Sequence, residues 1–403
     1  MKLLFYNHTG EVSGAERMLL LILARLDRSA FEPTVVCPHG PLEEMARDLG
    51  VRVETVAALE ARFTWRLDQL MHYCKSFLQI IRLIRRRVRL LKPDLIHANS
   101  IRSGLVATAA TLGMSTRVVW HLHDILPRHP LSSAIRLMAL LSTRTRMIAV
   151  SEAVGRNFGG RVASLTKSRV SVILNAIDLD KFQGDRSDGQ AIREELGLAK
   201  DDLVFGIIGQ LTPRKGQLEL IRAFARAGVP HSVLLIVGAA IFNRDRQYAL
   251  RLEQEAESCG VAGSVRMLGS RNDIGAVMQS LDLLIVNSSA EPFGLVIVEA
   301  MACGIPVLAA SVAGIPEIIA HGKNGWLVPP RDQPALAAAI VHLTREAELG
   351  RRLAQQGRQD VKNFAADRYM AELQSFYHAS GDVKQKTHAS DGAGRQAETA
   401  KFA

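Results

Sequence analysis

Several features that would assign a class of protein at once are absent from this sequence of 403 residues. No apolar run approaches the ~20 residues that span a bilayer, and Met1–Tyr6 is too short and too soon interrupted to be a signal peptide. The cysteines form neither a CxxC pair nor a cluster with histidine, which favours a reducing compartment and gives no reason to expect a metal site. They are Cys37, Cys74, Cys259 and Cys303. We therefore expect a cytoplasmic protein that could still lie on a membrane surface.

Acidic residues are missing from one stretch, between Lys75 and Lys92. Its apolar residues recur at intervals of four and three, which predicts a helix with one narrow stripe packed on a sheet. They are Phe77, Ile81, Ile84, Val88 and Leu91, and the basic residues are Lys75, Arg82, Arg85, Arg86, Arg87, Arg89 and Lys92. The basic side chains form either a solvated face or a surface for anionic lipid headgroups. The formal net charge of +10 favours an anionic partner. Nucleic acid is disfavoured because no aromatic residues are interleaved with the basic ones.

The stretch from Leu281 to Ile319 carries the most organised pattern in the chain. It reads as strand, polar loop, turn, buried helix and strand, with the polar residues gathered at one end. In an open parallel sheet, ligands bind beyond the carboxyl ends of the strands. A helix beginning near Gly294 would offer unpaired amide groups and the positive end of its dipole, which suit a phosphate.

Two carboxylates frame this helix start, Glu291 on the preceding loop and Glu299 within the helix. Both could reach one elongated ligand whose anionic middle rests on the helix N-terminus. The ordered string Glu291-Pro292-Phe293-Gly294, Glu299, Gly304-Ile305-Pro306-Val307 and Gly314-Ile315-Pro316-Glu317 resembles the nucleotide-sugar site of the retaining glycosyltransferases of family four.

The resemblance implies an α/β chain with the GT-B fold, in which two Rossmann-like parallel-sheet domains face each other across a cleft. We expect an acceptor-side domain over residues 1–183 and a nucleotide-sugar domain over 184–362. A helix over 363–379 would cross back to the first domain. The composition of residues 380–403 predicts a disordered tail, and that of Phe182–Gly189 predicts a linker.

Two further loops match the family. Leu203–Ile208 reads as a buried strand, and the following Arg214 and Lys215 suit a diphosphate, since a charged hydrogen bond contributes ~1.5–3 kcal/mol. Lys215 matches the family's diphosphate loop directly. Arg214 is a candidate substitute, because Gln210 stands at the usual arginine position. In the first loop, which lies near the transferred sugar in the family, only Gly14 is carried over.

Two histidines follow the predicted strand Val118–Trp120, and we expect both at its carboxyl end. In the family a His-Asp pair at this point lies beside the donor sugar. His123-Asp124 matches that pair better than His121 does.

The resemblance implies a retaining glycosyltransferase that moves a sugar from a nucleoside-diphosphate sugar to a hydroxyl of a saccharide or lipid-linked acceptor, in bacterial surface polysaccharide or lipopolysaccharide synthesis. No cofactor is expected besides the nucleoside-diphosphate sugar as co-substrate, because helix amides and Lys215 would neutralise the diphosphate in place of a metal. The implied catalytic residues are His123 and Glu291, and the donor-binding residues are Gly14, Arg214, Lys215, Phe293, Gly294, Leu295, Val296 and Glu299.

Two alternatives remain open at this point. One is an epimerase or hydrolase of a nucleotide sugar on a related fold, and the other is a binding protein with a degenerate site, which Gln210 keeps open. The sequence does not specify the nucleotide, the sugar or the acceptor.

Overall fold

The computed structural model describes residues 1–59, 67–160, 169–182, 186–240 and 243–381. The chain divides into two compact units. The first unit comprises Met1–Ala149, Gly155–Ile173 and the chain from Asp367 onward; the second comprises Val150–Val154 and Leu174–Ala366. The domain boundaries at 183 and 362 stay predictions. Most of the tail predicted to be disordered, from residue 382 on, lies outside the described residues.

The first unit is built on a seven-stranded parallel sheet in the order β3-β2-β1-β4-β5-β6-β7. Its central strands are buried on both faces, as expected for a sheet covered by helices on each side. The strands are β1 (Lys2–Tyr6), β2 (Glu32–Cys37), β3 (Arg52–Thr55), β4 (Leu95–Ala98), β5 (Arg117–Leu122), β6 (Thr145–Ala149) and β7 (Val170–Val172).

The helices of the first unit include the final helix of the described chain. They are α1 (Gly14–Arg25), α2 (Pro41–Asp48), α3 (Leu67–Leu91), α4 (Ile101–Ala110), α5 (Pro130–Leu141), α6 (Glu152–Gly159), whose first residues cluster with the second unit, and α15 (Ala366–Gly381). On α15, Asp367 accepts a hydrogen bond from Arg25 at 2.8 Å, and the ring of Tyr377 packs edge-on against Phe31.

The second unit contains a six-stranded parallel sheet in the order β10-β9-β8-β11-β12-β13. The strands are β8 (Leu203–Ile208), β9 (Ser232–Val237), β10 (Val265–Gly269), β11 (Leu283–Val286), β12 (Val307–Ala310) and β13 (Trp326–Val328). The helices are α7 (Arg186–Glu195), α8 (Gln217–Ala227), α9 (Asn243–Ser258), α10 (Ile274–Gln279), α11 (Leu295–Cys303), α12 (Ile315–Ile318), α13 (Gln333–Arg345) and α14 (Ala347–Asp360).

Each sheet reverses its strand order once, between β1 and β4 in the first unit and between β8 and β11 in the second. Chain connections leave such a pair of strands in opposite directions, which opens a crevice beyond their carboxyl ends. Each unit on its own therefore has one topologically defined place for a ligand.

Two local predictions are wrong. The strand β5 continues through His121 to Leu122, so only His123 follows the strand. The predicted linker Phe182–Gly189 is helical from Arg186, where α7 begins. The apolar residue Ile192 is 4 % exposed and anchors this otherwise polar helix to the second unit.

The basic stretch forms the last two-thirds of α3, as its periodicity predicts. Of the predicted stripe, Ile84 and Val88 are buried, whereas Phe77, Ile81 and Leu91 are only partly buried. Ile80, which was not predicted to belong to the stripe, is buried with them. Arg85 turns inward and donates to the carbonyl oxygens of Ala110 and Leu112, each at 2.9 Å. No helix within the described ranges is both long and apolar enough to cross a lipid bilayer.

Candidate functional site

Two loops meet at the switch point of the second unit, one after β8 and one after β11. Gly216, at φ 72°, approaches so closely that a Cβ there would lie 2.2 Å from the carbonyl oxygen of Asn287. Asn287 Nδ2 donates back to the carbonyl oxygen of Gly216 at 3.1 Å. The Ser289 amide donates to the carbonyl oxygen of Arg214 at 2.8 Å, and the Arg214 guanidinium donates to that of Ala290 at 2.9 Å. The two loops are therefore held as one rigid platform.

This platform carries a buried ion pair between two of the predicted site residues. Lys215 Nζ lies 2.7 Å from Glu291 Oε2, and Ser288 Oγ donates to the same oxygen at 2.9 Å. Burial alone would raise the pKa of Glu291, but the charges of Lys215 and Arg214 and the hydrogen bonds from Lys215 and Ser288 lower it overall. Glu291 is thus an ionised, fixed carboxylate. Sequence reasoning missed Ser288, because a serine in a polar loop carries no distinguishing signal.

The helix α11 begins directly after Glu291, at the same edge of the sheet. Its N-cap is Gly294, at φ 108°, and no side chain caps the first turn. Leu295 and Val296 in this turn are partly exposed, whereas the next six residues are buried. The Phe293 ring packs edge-on against Phe364, so any ligand contact from that residue falls to its backbone. An uncapped first turn beside a lysine can bind an anion.

A second turn supports the loop that carries Glu291. The Gly314 amide donates to the carbonyl oxygen of Glu291 at 3.0 Å. A Cβ at Gly314 would lie 2.2 Å from the carbonyl oxygen of Pro292, so a glycine is required there. Within the same unit, Ser151 Oγ donates to that Pro292 oxygen at 2.6 Å. These contacts fix the carboxylate relative to the helix start.

Glu299 lies further along α11 and is 7 % exposed. It is close to Cys303, whose pKa burial raises to about 12, with a further contribution from the Glu299 charge and an opposing one from Arg358.

Two uncharged polar groups of the β8 loop were missed by sequence reasoning. Thr212 Oγ1 and Gln217 Oε1 are buried without a hydrogen-bond partner in the part of the chain that the structure describes. Gln217 Nε2 donates to the carbonyl oxygen of Gln210 at 2.9 Å and so holds the residue that replaces the family's arginine. Buried groups left unpaired in this way are candidates for ligand contacts.

In the first unit, His123 follows β5 and is 9 % exposed, and its Nε2 atom has no hydrogen-bond partner among the described residues. Burial lowers its pKa to about 3, so the imidazole is neutral at pH 7 and can exchange a hydrogen bond but cannot act as a cation. The adjacent Asp124 is exposed.

The switch point of the first unit carries a polar cluster that the sequence did not reveal. Glu16 forms a capping box with Ser13 and accepts a hydrogen bond from Asn7 at 3.1 Å, and Asn99 donates to Asn7 at 3.2 Å. Gly14 is the exposed first residue of α1. The tightly packed glycine is instead Gly10, where a Cβ would lie 2.2 Å from a backbone oxygen.

Within the described ranges, no three His, Cys, Asp or Glu side chains are grouped so that they could hold a metal ion. A rigid loop platform, the buried pair of Lys215 and Glu291 and an uncapped helix start lie at the carboxyl edge of one Rossmann-like sheet, and a second such sheet accompanies it. These features are those expected of a glycosyltransferase of the GT-B class. Residues 188–360 match the family described as "Glycosyl transferases group 1", and residues 12–181 match "Glycosyltransferase Family 4". The chain belongs to glycosyltransferase family 4, and the predicted family and fold class are confirmed.

Related proteins include a D-inositol 3-phosphate glycosyltransferase of Salinispora arenicola, 34 % identical over 221 residues, or 52 % of this chain and 49 % of the relative. The chain thus spans about half the length of this relative. A UDP-Gal:alpha-D-GlcNAc-diphosphoundecaprenol alpha-1,3-galactosyltransferase of Escherichia coli is 25 % identical over 84 % of this chain and 86 % of its own length. The crystal structure of Anabaena HepE in complex with UDP-glucose matches with a TM-score of 0.80 and 29 % identity, covering 94 % of this chain and 100 % of that one.

Proposed function

We propose that the protein is a retaining glycosyltransferase that moves a hexose or related sugar from a nucleoside-diphosphate sugar to a hydroxyl of a lipid-linked saccharide. The observation that carries the proposal is the buried pair of Lys215 and Glu291 directly before the uncapped start of α11. A cation and helix amides on one side of a fixed carboxylate suit a sugar diphosphate, which is anionic at one end and rich in hydroxyls at the other.

The second unit would bind the donor. The amides of Gly294, Leu295 and Val296 and the ammonium of Lys215 would stabilise the departing diphosphate, whose charge grows as the glycosidic bond breaks. Glu299 would accept hydrogen bonds from the ribose hydroxyls. The Anabaena relative, by its name, binds UDP-glucose, which makes a uridine diphosphate sugar the first donor to test.

Glu291 would hold sugar hydroxyls rather than attack the anomeric carbon. The two contacts described above, from Lys215 and Ser288, are both made to Oε2, so Oε1 lies outside the ion pair and can accept hydrogen bonds from the sugar. In addition, a carboxylate whose pKa is lowered by a neighbouring lysine is a weak nucleophile. His123 would contact the transferred sugar as a neutral hydrogen-bonding group, and Gly14 would lie near that sugar. Retention would follow from attack on the face of the leaving phosphate, which takes the acceptor proton.

The acceptor would be lipid-linked, since the Escherichia coli relative acts, by its name, on a diphosphoundecaprenol-linked sugar. The exposed face of α3 supports a place at the inner surface of the cell membrane. Two apolar side chains on this face are exposed, Met71 at 75 % and Leu78 at 53 %. Two exposed basic residues accompany them: Lys75 lies between the two in sequence, and Arg82 follows Leu78. Exposed apolar side chains beside basic ones suit an anionic membrane surface, where each basic residue contributes about 1 kcal/mol to the free energy of binding.

Sedimentation with vesicles tests the membrane contact. The variant Arg82→Glu should bind less to phosphatidylglycerol vesicles than the wild type, and high salt should release the wild type. Arg82→Ala should also weaken binding, and Arg85→Ala is its matched control, because Arg85 donates inward to two backbone carbonyls and should have a smaller effect on vesicle binding. Equal binding to neutral vesicles would refute the contact.

A panel of nucleotide sugars tests the transferase itself. Thermal shift identifies the donor, and consumption of that donor is then measured with and without an undecaprenyl-diphosphate saccharide. We expect acceptor-dependent turnover and a product with the anomeric configuration of the donor, assigned by proton NMR. Equal donor consumption without any acceptor would instead indicate an epimerase or hydrolase.

A further inference from the structure

Three histidines and one tyrosine form a buried array inside the first unit. The Tyr377 hydroxyl, on α15, lies 2.7 Å from His97 Nδ1, and His97 Nε2 lies 3.2 Å from His121 Nδ1. The ring of His121 then lies against that of His123, with ring centroids 3.9 Å apart. Tyr377, His97 and His121 are fully buried, and burial lowers the pKa of each histidine, so the three rings are neutral.

Each neutral imidazole carries one proton, so this array can be protonated in two ways. If Tyr377 donates to His97 Nδ1, then His97 donates from Nε2 to His121 Nδ1, and His121 carries its proton on Nε2. The reverse direction makes His97 donate to the tyrosine oxygen, which leaves the Tyr377 proton without an acceptor among the described residues. His121 Nε2 has no partner in either case. The first arrangement therefore leaves one buried group unpaired and the second leaves two, and each unpaired group costs about 1–3 kcal/mol.

We propose that Tyr377 is a positioning residue that, through His97, fixes His121 as the Nε2–H tautomer and thereby holds the ring of His123 at the carboxyl end of β5. The proposal rests on the proposed function for the part that His123 plays, since His123 is the residue expected to contact the transferred sugar. The tautomers themselves are a property of this unit and are independent of any donor.

The array explains why a buried tyrosine is needed on α15. Phenylalanine would fill the same space against Phe31 and His97, but it would remove the hydroxyl that selects one direction. The two protonation patterns would then have similar energies, and His121 Nε2 would alternate between a donor and an acceptor in the ring that lies against His123. A misplaced contact to the sugar costs rate because orientation in the transition state is lost.

The chain offers a matched control on the same helix. Tyr369 is also buried, at 3 % exposed, but its hydroxyl has no hydrogen-bond partner in the described chain. Tyr369→Phe and Tyr377→Phe therefore make the same chemical change in two buried sites, and only the second interrupts the array.

The experiment combines nitrogen-15 NMR of the histidine side chains with steady-state kinetics. In the wild type we expect His97 and His121 as Nε2–H tautomers. In Tyr377→Phe these resonances should move toward a mixture, and kcat with UDP-glucose as the probe donor should fall on the order of tenfold. KM should change little, because the nucleotide contacts belong to the second unit. Tyr369→Phe should match the wild type in both measurements.

Wild-type protein with His97 or His121 as the Nδ1–H tautomer would overturn the proposal even if Tyr377→Phe failed to fold. Unchanged tautomers in a folded Tyr377→Phe, or changed tautomers with wild-type kcat, would overturn it as well. If no nucleotide sugar of the panel is turned over by the wild type, the proposed function fails, and the NMR measurement alone decides whether Tyr377 sets the tautomers.

Discussion

Replacing Lys215 with methionine keeps most of the side-chain volume but removes the ammonium group 2.7 Å from Glu291 Oε2. Glu291 is 7 % exposed, so its carboxylate would remain buried in the variant. Of the two donors to Oε2, only the Ser288 hydroxyl would be left. Breaking a buried ion pair from one side costs about 3–5 kcal/mol of unfolding free energy. The exposed pair of Arg351 and Glu348 is the matched control, because Arg351→Met should cost no more than about 1 kcal/mol. Urea unfolding of the variants measures both.

The pH dependence gives a sharper test of the same reasoning. In the wild type the pKa of Glu291 lies below its ordinary value of 4.5, so the pair stabilises the fold above that pH and this contribution is lost as the pH falls through the lowered pKa. Without Lys215 the largest charge that lowers the pKa is lost while the burial that raises it remains, so we expect a higher pKa in the variant and a stability cost at pH 7.5 that is relieved on acidification. The stability difference between wild type and Lys215→Met should therefore shrink from pH 7.5 to 5, and Glu291→Gln should restore much of the variant's stability. A difference independent of pH would refute the argument.

Gly216→Ala should destabilise the second unit by about 1–3 kcal/mol more than Gly197→Ala in urea unfolding, because both have positive φ but only Gly216 would clash, with Asn287. Glu299→Ala should raise the donor KM strongly with a smaller effect on kcat, and wild-type kinetics would remove Glu299 from the donor site. Histidines with a lowered pKa should destabilise the first unit on acidification. The pKa of the partly buried His8 is lowered to about 4, chiefly by loss of solvation and further by the charge of Arg102, so the unfolded chain binds more protons between that pH and about 6.5. Over this pH range each such histidine should lower the free energy of unfolding by about 1.4 kcal/mol per pH unit. His8→Asn should therefore reduce the slope of the unfolding free energy against pH by the amount that corresponds to one bound proton.

The arrangement of the second unit could be read from the sequence because its information is local. A buried strand, a loop with Lys215 and a helix start at Gly294 each have short sequence signals, and parallel strands bring their carboxyl ends to one edge. The pairing of Lys215 with Glu291 could not be predicted from the sequence, because the two residues are 76 positions apart. The motifs that contain them indicate contacts with different parts of the ligand, the diphosphate for Lys215 and the sugar for Glu291. Only the packing of the two loops brings them within 2.7 Å.

The first unit was less predictable for a related reason. The apolar run Val118–Trp120 predicts a strand that ends where the polar residues begin, at His121, but β5 continues to Leu122. Instead, His121 Nδ1 pairs with His97 inside the sheet, and His97 in turn pairs with Tyr377, which is 280 positions away from it. The same limit applies to α3, where charge alone could not separate the inward-facing Arg85 from its exposed neighbours.

The placement of α15 affects how the protein is made. The first unit takes Tyr369, Leu373 and Tyr377 into its interior from the end of the described chain. A ribosome delivers residues 1–173 well before these side chains exist, so the nascent unit waits with His97 and Phe31 incompletely covered until α15 has emerged. Chaperone binding to the amino-terminal half should therefore persist until α15 has emerged from the ribosome.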